Sequence, residues 1–287
     1  ANSNIVQFWL SYLDALIKLD RITDAKTVFD QAKDKGVNGE AFNELEQRLN
    51  SPNEVSIDPP QDNVESLINL CQQGKFQQAL DNVKKLLLKF PISLTLHNIQ
   101  GAANAGAGQL DAAIDSYKQA IKIKPDYAEV YNNMGIALKD KGDVEAAIES
   151  YKQALKIKPD YAEAYNNMGI ALKDKDDLEA VIDNYRKALK IKPDYAEAYY
   201  NLGNALQDKG DLEAAIDSFK QALKIKPDYA EAYNNMGNAL KRKGDLDLAI
   251  DSYKQALKIK PDYPESFYNM GIALKNKGDL EAAIDSY

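Results

Sequence analysis

The tetrapeptide Lys-Pro-Asp-Tyr returns at constant spacing, with prolines at Pro125, Pro159, Pro193, Pro227 and Pro261, each 34 residues after the one before. A fixed period of this length makes each repeat one supersecondary unit and excludes folds assembled from unlike parts. Laid over 162–195, the unit 128–161 is identical at 26 of 34 places. In this frame 94–127 fits well and 60–93 less well, 196–229 and 230–263 follow, and 264–287 covers the first 24 places of one more unit.

Within 128–161 the apolar places are Tyr131, Met134, Ile136, Ala137 and Leu138, and after Gly142 they are Val144, Ala146, Ala147, Ile148, Tyr151, Ala154, Leu155 and Ile157. Both runs keep the i, i+3, i+4, i+7 spacing of an amphipathic helix. Gly142 supplies the left-handed residue that ends the first helix, and Asp143 is suited to cap the second. Pro159 lies past the end of the second helix. Asp160 with Glu163 has the spacing of a capping box for the next first helix, as do Asp126/Glu129, Asp194/Glu197, Asp228/Glu231 and Asp262/Glu265. Each unit is therefore expected to be a pair of short antiparallel helices. One pair cannot bury both apolar faces, so neighbours must stack into a solenoid. Gly135, Gly169, Gly203, Gly237 and Gly271 on first helices and Ala147, Ala215 and Ala249 on second helices are expected to allow close helix approach.

The order Tyr131, Met134-Gly135, Leu138, Ala147, Tyr151, Ala154 and Pro159 resembles the tetratricopeptide repeat family. The resemblance covers 60–287 and implies an all-α, right-handed superhelical solenoid of helix pairs. Residues 1–50 are a weaker relative: Trp9, Tyr12, Leu13, Leu16, Ala25, Phe29 and Ala32 fall in the family frame, with Leu13 in place of the glycine and Val37 of the proline. A further helix is expected near Glu40–Leu49. Three prolines in 51–60 read as an extended break. The expected organisation is a diverged helical segment (1–50), a linker (51–59) and an array of six full units and one partial unit (60–287).

Composition narrows the function classes. Lys and Arg total 36 against 44 Asp and Glu, a net charge of −8, which argues against non-specific nucleic-acid binding. No apolar run approaches the roughly 18 residues of a membrane span. The start, Ala1-Asn2-Ser3-Asn4, lacks the basic region of a leader. The chain is read as cytoplasmic. One cysteine, Cys71, and one histidine, His97, exclude an internal disulfide and multi-His or Cys-rich metal sites. Cys71 has no basic residue within four places upstream and is read as structural. His97 occupies the aromatic place of Tyr131 and Tyr165 and is read as packing. The glycines of 100–108 fall in helix and turn places and follow no strand, so no phosphate loop is present. Almost every Asp and Glu recurs with the unit, as a cap or solvated face. No catalytic residue, metal or cofactor is expected, and the chain is read as a non-enzyme.

Most of the 17 tyrosines recur at core places, while Tyr127, Tyr161, Tyr195, Tyr229 and Tyr263 mark the corner between units. Tyr200 and Tyr268 instead replace Asn132, Asn166 and Asn234, off the main apolar stripe. The family resemblance implies that first helices line a concave surface. It directs attention to Asn133, Asn167, Asn201, Asn235 and Asn269, one amide per unit. Similar arrays in O-linked N-acetylglucosamine transferases hold an extended peptide by such a ladder. A primary amide both donates and accepts and so suits any peptide unit, though it can equally bond within the protein. Near-identical units differ at two further places: Ile136, Ile170 and Ile272 alternate with Asn204 and Asn238, and Asp140, Asp174 and Asp208 give way to Arg242 and Asn276. The groove is expected to be acidic in the middle and less so toward its C-terminal end. Family members that clamp a C-terminal carboxylate carry Lys or Arg on early concave faces. Asn132, Ile136, Glu197 and Asn201 stand at the matching places, which disfavours that function.

The resulting expectation is a non-catalytic protein-interaction scaffold that binds an extended peptide or partner segment through Asn133, Asn167, Asn201, Asn235, Asn269, Tyr200, Asn204, Asn238 and Tyr268. One alternative is an accessory region of a larger enzyme, since similar bacterial arrays often precede glycosyltransferase, sulfotransferase or methyltransferase domains. Another is self-assembly: Leu280, Ala283, Ile284 and Tyr287 lack a following helix in this sequence, giving either a frayed half-helix or a homodimer. The unit 162–195 is expected to be the weakest, because Asp176 replaces the turn glycine and Val181 an alanine read as facing Gly169.

Overall fold

The computed structural model of the chain describes residues 3–18, 21–37, 39–50, 57–173 and 177–286. They form two compact units, Ala1–Pro59 and Pro60–Tyr287. The first contains α1 (Ser3–Lys18), α2 (Ile22–Asp34) and α3 (Glu40–Asn50). Its core joins Leu13, Leu16, Ala25 and Ala32 to Phe29 and Phe42, whose rings stack 4.2 Å apart. Leu13, at the family's glycine place, is thus core. Most of the expected linker, and Asp176 with Asp174, lie outside the described residues.

In the second unit the described helices fall into consecutive pairs: α4 (Gln61–Gln72) with α5 (Phe76–Leu87), α6 (Leu94–Gly106) with α7 (Leu110–Ile123), and α8 (Ala128–Lys141) with α9 (Val144–Ile157). Then come α10 (Ala162–Leu172) with α11 (Leu178–Ile191), and α12 (Ala196–Lys209) with α13 (Leu212–Ile225). The last are α14 (Ala230–Lys243) with α15 (Leu246–Ile259), and α16 (Pro264–Lys277) with α17 (Leu280–Ser286). Each helix packs on its partner, and each second helix on the next pair's first helix, so the array is an all-α solenoid. Neighbouring first helices also touch, as α8 does α10 and α14 does α16. None of the described helices is long and apolar enough to cross a membrane.

The turn within each pair follows from one backbone angle. Gly142 sits at φ +96°; its N–H donates to the Lys139 carbonyl, and the Asp143 N–H to that of Leu138, both at 2.9 Å. The left-handed residue closes the helix by satisfying its last carbonyls. Asp177, Asp211 and Asp279 then cap the second helices, each Oδ1 accepting from the backbone N–H three residues on at 3.1–3.2 Å. Asp143 and Asp245 make no such cap, because their carboxylates turn to Lys141 and Lys243 at 3.4 Å.

The expected capping boxes do not form. The N-cap of each first helix from α8 to α16 is the corner tyrosine and not the preceding aspartate. The glutamates then fall at the second helical position, one place short of the capping-box position, and find other partners. Glu129 accepts from the Tyr127 hydroxyl at 2.8 Å, and Glu163 from Lys192 at 2.9 Å. The motif lysine covers each corner ring: Lys124, Lys158, Lys192, Lys226 and Lys260 lie 4.5–5.4 Å from the centroids of Tyr127, Tyr161, Tyr195, Tyr229 and Tyr263. This cation–π geometry fixes the corner.

The helix glycines do permit close approach, but to an aromatic ring. A Cβ on Gly169 would lie 2.7 Å from Cε1 of Tyr185, and one on Gly237 2.6 Å from Cε1 of Tyr253. The reading that position 181 faces Gly169 is therefore corrected: Tyr185 fills that approach, and Val181 is an ordinary buried core residue. The same unit has a different weakness. Asn184 Oδ1 and the Tyr185 hydroxyl are buried and take no hydrogen bond among the described residues. At the place of Asn184, other units use the smaller Ser116, Ser218 and Ser252, each donating to the carbonyl four residues back at 2.7–2.8 Å. In the 230–263 unit the corresponding hydroxyl, of Tyr253, donates to Asn238 Oδ1 at 2.8 Å. Ile170 stands where Asn238 would be.

Candidate peptide-binding face

First helices of 14 residues carry their apolar residues on one side, which leaves the places of Asn132, Asn133, Ile136, Lys139 and Asp140 on another. The ladder asparagines are all half-buried. Their amide nitrogens are already engaged between units. Asn133 Nδ2 donates to Asn98 Oδ1 at 3.2 Å, Asn167 to Asn132 and Asn201 to Asn166 at 3.0 Å, and Asn269 to Asn234 at 3.2 Å. The acceptors Asn132, Asn166 and Asn234 are buried. A row of side-chain amides thus ties each first helix to the one before it. The ladder oxygens of Asn133, Asn167 and Asn201 receive no hydrogen bond from a described residue. This leaves one pre-oriented acceptor in each of these three units.

The pattern changes where the sequence does. Tyr200 stands at the acceptor place, and its hydroxyl accepts from Asn235 Nδ2 at 3.1 Å. Asn235 also donates to Asn204 Oδ1 at 2.8 Å and accepts from Asn234 at 3.1 Å. The Tyr200 ring packs 4.9 Å from that of Tyr229 and 6.1 Å from Phe219. Burial first, then Tyr200 and the carboxylates Glu197 and Glu231, push the Tyr229 phenol well above its ordinary range. Tyr200 is therefore as much a packing residue as a surface one. Tyr268, at the same place on α16, is 60% exposed. It borders a shallow cleft with Phe267, Asp262, Pro264, Asp285 and Ser286. Leu280 and Ile284 on α17 are 60% and 72% exposed.

Asn204 and Asn238, half-buried, spend their oxygens on Asn235 and Tyr253, whereas Ile136 is exposed. Asp140 pairs with Lys139 at 3.1 Å, and Asp208 and Asn276 are exposed. Arg242 donates to the backbone carbonyl of Gln207 at 2.8 Å. Sequence reasoning passed over Asn98, Asn132, Asn166 and Asn234 as functional partners, although the doublet Asn-Asn in 132–133, 166–167 and 234–235 was a readable sign. It also passed over Lys241, half-buried on the same face.

The residues set aside as chemical candidates sit in structural surroundings. Cys71 is half-buried, and burial raises its thiol pKa, which disfavours the nucleophilic thiolate. His97 pairs through Nε2 with the Pro91 carbonyl at 3.1 Å. Among the described residues, no group of three or more His, Cys, Asp or Glu is placed to hold a metal ion.

Helix pairs stacked at a fixed sequence period, each joined to the next through one face, define a helical repeat protein. The model of the TPR repeat matches residues 106–142, 137–176, 171–210, 203–244 and 237–278, more than half the chain, which therefore belongs to the tetratricopeptide repeat family. Among solved structures, MamA is 33% identical with a TM-score of 0.52, over 56% of this chain and 94% of that one. YrrB, described as a TPR protein with an unusual peptide-binding site, is 24% identical with a TM-score of 0.54, over 60% and 89%. PilF of Pseudomonas aeruginosa is 17% identical with a TM-score of 0.63, over 71% and 93%. The likeness to YrrB and PilF is one of fold alone. No curated protein matches the chain. Membership in this family makes the chain a protein-interaction scaffold, of a fold that is generally non-catalytic.

Proposed function

We propose that the first-helix face binds an extended peptide or partner segment, with the ladder oxygens as acceptors for its backbone N–H groups. The observation that carries this reading is the repeated geometry of Asn133, Asn167 and Asn201. In each, the amide nitrogen is fixed on the preceding unit while the oxygen receives no hydrogen bond from a described residue. A fixed acceptor loses little entropy on binding, and recognition of backbone groups is independent of sequence. The donor half of each amide is spent internally, so each ladder residue offers a peptide one hydrogen bond and not two. Exposed Ile136 supplies an apolar contact on the early units, and Tyr268 an aromatic one on the last.

N-methylation of the peptide tests this without altering the protein. A peptide selected on the full chain should lose about 1 kcal/mol, roughly fivefold in affinity, for each backbone nitrogen methylated at a ladder contact. Methylation at every nitrogen in turn without loss of affinity would overturn the reading.

A further inference from the structure

Lysines at the ends of first helices on this array are matched to carboxylates of the preceding unit. Lys141 meets Asp111 at 2.8 Å, Lys209 meets Glu179 at 2.6 Å, Lys243 meets Glu213 at 3.6 Å and Lys277 meets Asp247 at 2.5 Å. On the ligand-facing side Lys139 has Asp140 beside it. Lys241 differs from both and from its exposed counterpart Lys275. It is half-buried, and no carboxylate of a described residue lies within 4 Å of its ammonium. The neighbouring place, Asp140 or Asp208 in other units, holds Arg242. The Lys241 ammonium meets neutral groups instead: Asn269 Oδ1 at 3.4 Å and the Tyr253 ring at 6.0 Å. Burial lowers the lysine's pKa, as expected for a cation that has lost water without gaining an anion.

Resting on the peptide-binding reading above, we propose that Lys241, with Arg242 beside it and the Asn269 amide against it, is a subsite for one Asp or Glu side chain of the bound segment. A carboxylate arriving here takes the place on Lys241 now held at 3.4 Å by Asn269 Oδ1. It replaces a long contact to a neutral amide with a charge-assisted one. Arg242 contributes charge rather than a second clamp, because one of its nitrogens is anchored on the Gln207 carbonyl. Two earlier units offer no equivalent: Asp140 already neutralises Lys139 and repels a second carboxylate, and Gln207 at the same place carries no charge. The acidic residue therefore fixes the register of the segment along the face, which backbone hydrogen bonds alone leave free to slide by a unit.

The test is selection from a random library of 12-residue peptides, C-terminally amidated so that no terminal carboxylate is present, on the full chain and on K241Q and K241E. Gln207 occupies the place of Lys241 one unit earlier, so Lys241→Gln is compatible with the fold. On the unaltered chain Asp or Glu should be enriched about tenfold at one position of the aligned peptides. K241Q should lose that preference while still retaining peptides, and K241E should select Lys or Arg there. A retained pool without acidic preference, or the same preference in K241Q, overturns the subsite and leaves backbone binding standing. A library not retained by any of the three chains overturns the peptide-binding reading, and the subsite with it.

Discussion

Asn167→Ala separates a ladder that only meets ligand from one that also holds the array together. The substitution removes the 3.0 Å bond to Asn132 Oδ1, and Asn132 is only 4% exposed. The loss is thus not one net hydrogen bond but the stranding of a buried acceptor, which costs about 2 kcal/mol. In a solenoid the effect stays with the units that share the bond. Backbone amides of α8 and α10 should exchange about 30-fold faster in native-state hydrogen exchange, with those of α14 and beyond unchanged. Removing both partners strands nothing, so Asn132→Ala with Asn167→Ala should cost about 1 kcal/mol less than the two single changes added. Asn276→Ala, at an exposed place, should stay within about 0.5 kcal/mol of the parent. Unchanged exchange in Asn167→Ala, or strict additivity of the pair, would refute the inter-unit role. The consequence for binding is direct: joint replacement of Asn167, Asn201 and Asn235 weakens the array as well as any peptide contact, so affinities need a stability control.

Three further outcomes follow from the packing. Tyr185→Phe removes a buried hydroxyl that has no partner among the described residues, and Phe219 already fills that place one unit later; stability should rise by about 1 kcal/mol in urea unfolding, and a fall would contradict it. Val181→Ala deletes two methyl groups from a fully buried site and should cost about 2 kcal/mol by the same measurement, whereas a gain would restore the reading of a crowded helix crossing. Burial first, then Glu129 and Glu163, push the Tyr161 phenol up to about 12, against about 10 when unfolded. Its contribution to stability is therefore complete below pH 10 and lost as pH rises through 12; tyrosinate absorbance and helicity followed together should change in that window, and full helicity above it would be the contrary result.

The sequence by itself determined the period, the helix pairs, the turn glycines and the family, because these rest on local rules: spacing, left-handed glycine and apolar periodicity act within a few residues. The ladder was legible as a row of amides at one place per unit, and the change of groove charge at Arg242 could be read by laying units side by side. Only the tertiary structure decided what those groups do. Whether Asn167 donates to a ligand or to Asn132 depends on the approach of two helices 35 residues apart in sequence. The same holds for the tyrosine, and not the alanine place, that fills the space at Gly169, for the shift of the N-cap from Asp160 to Tyr161, and for Lys241 meeting an amide and a ring. Hydrogen bonds, rings and charges are satisfied across units, and a sequence pattern specifies which residues recur but not which of them meet.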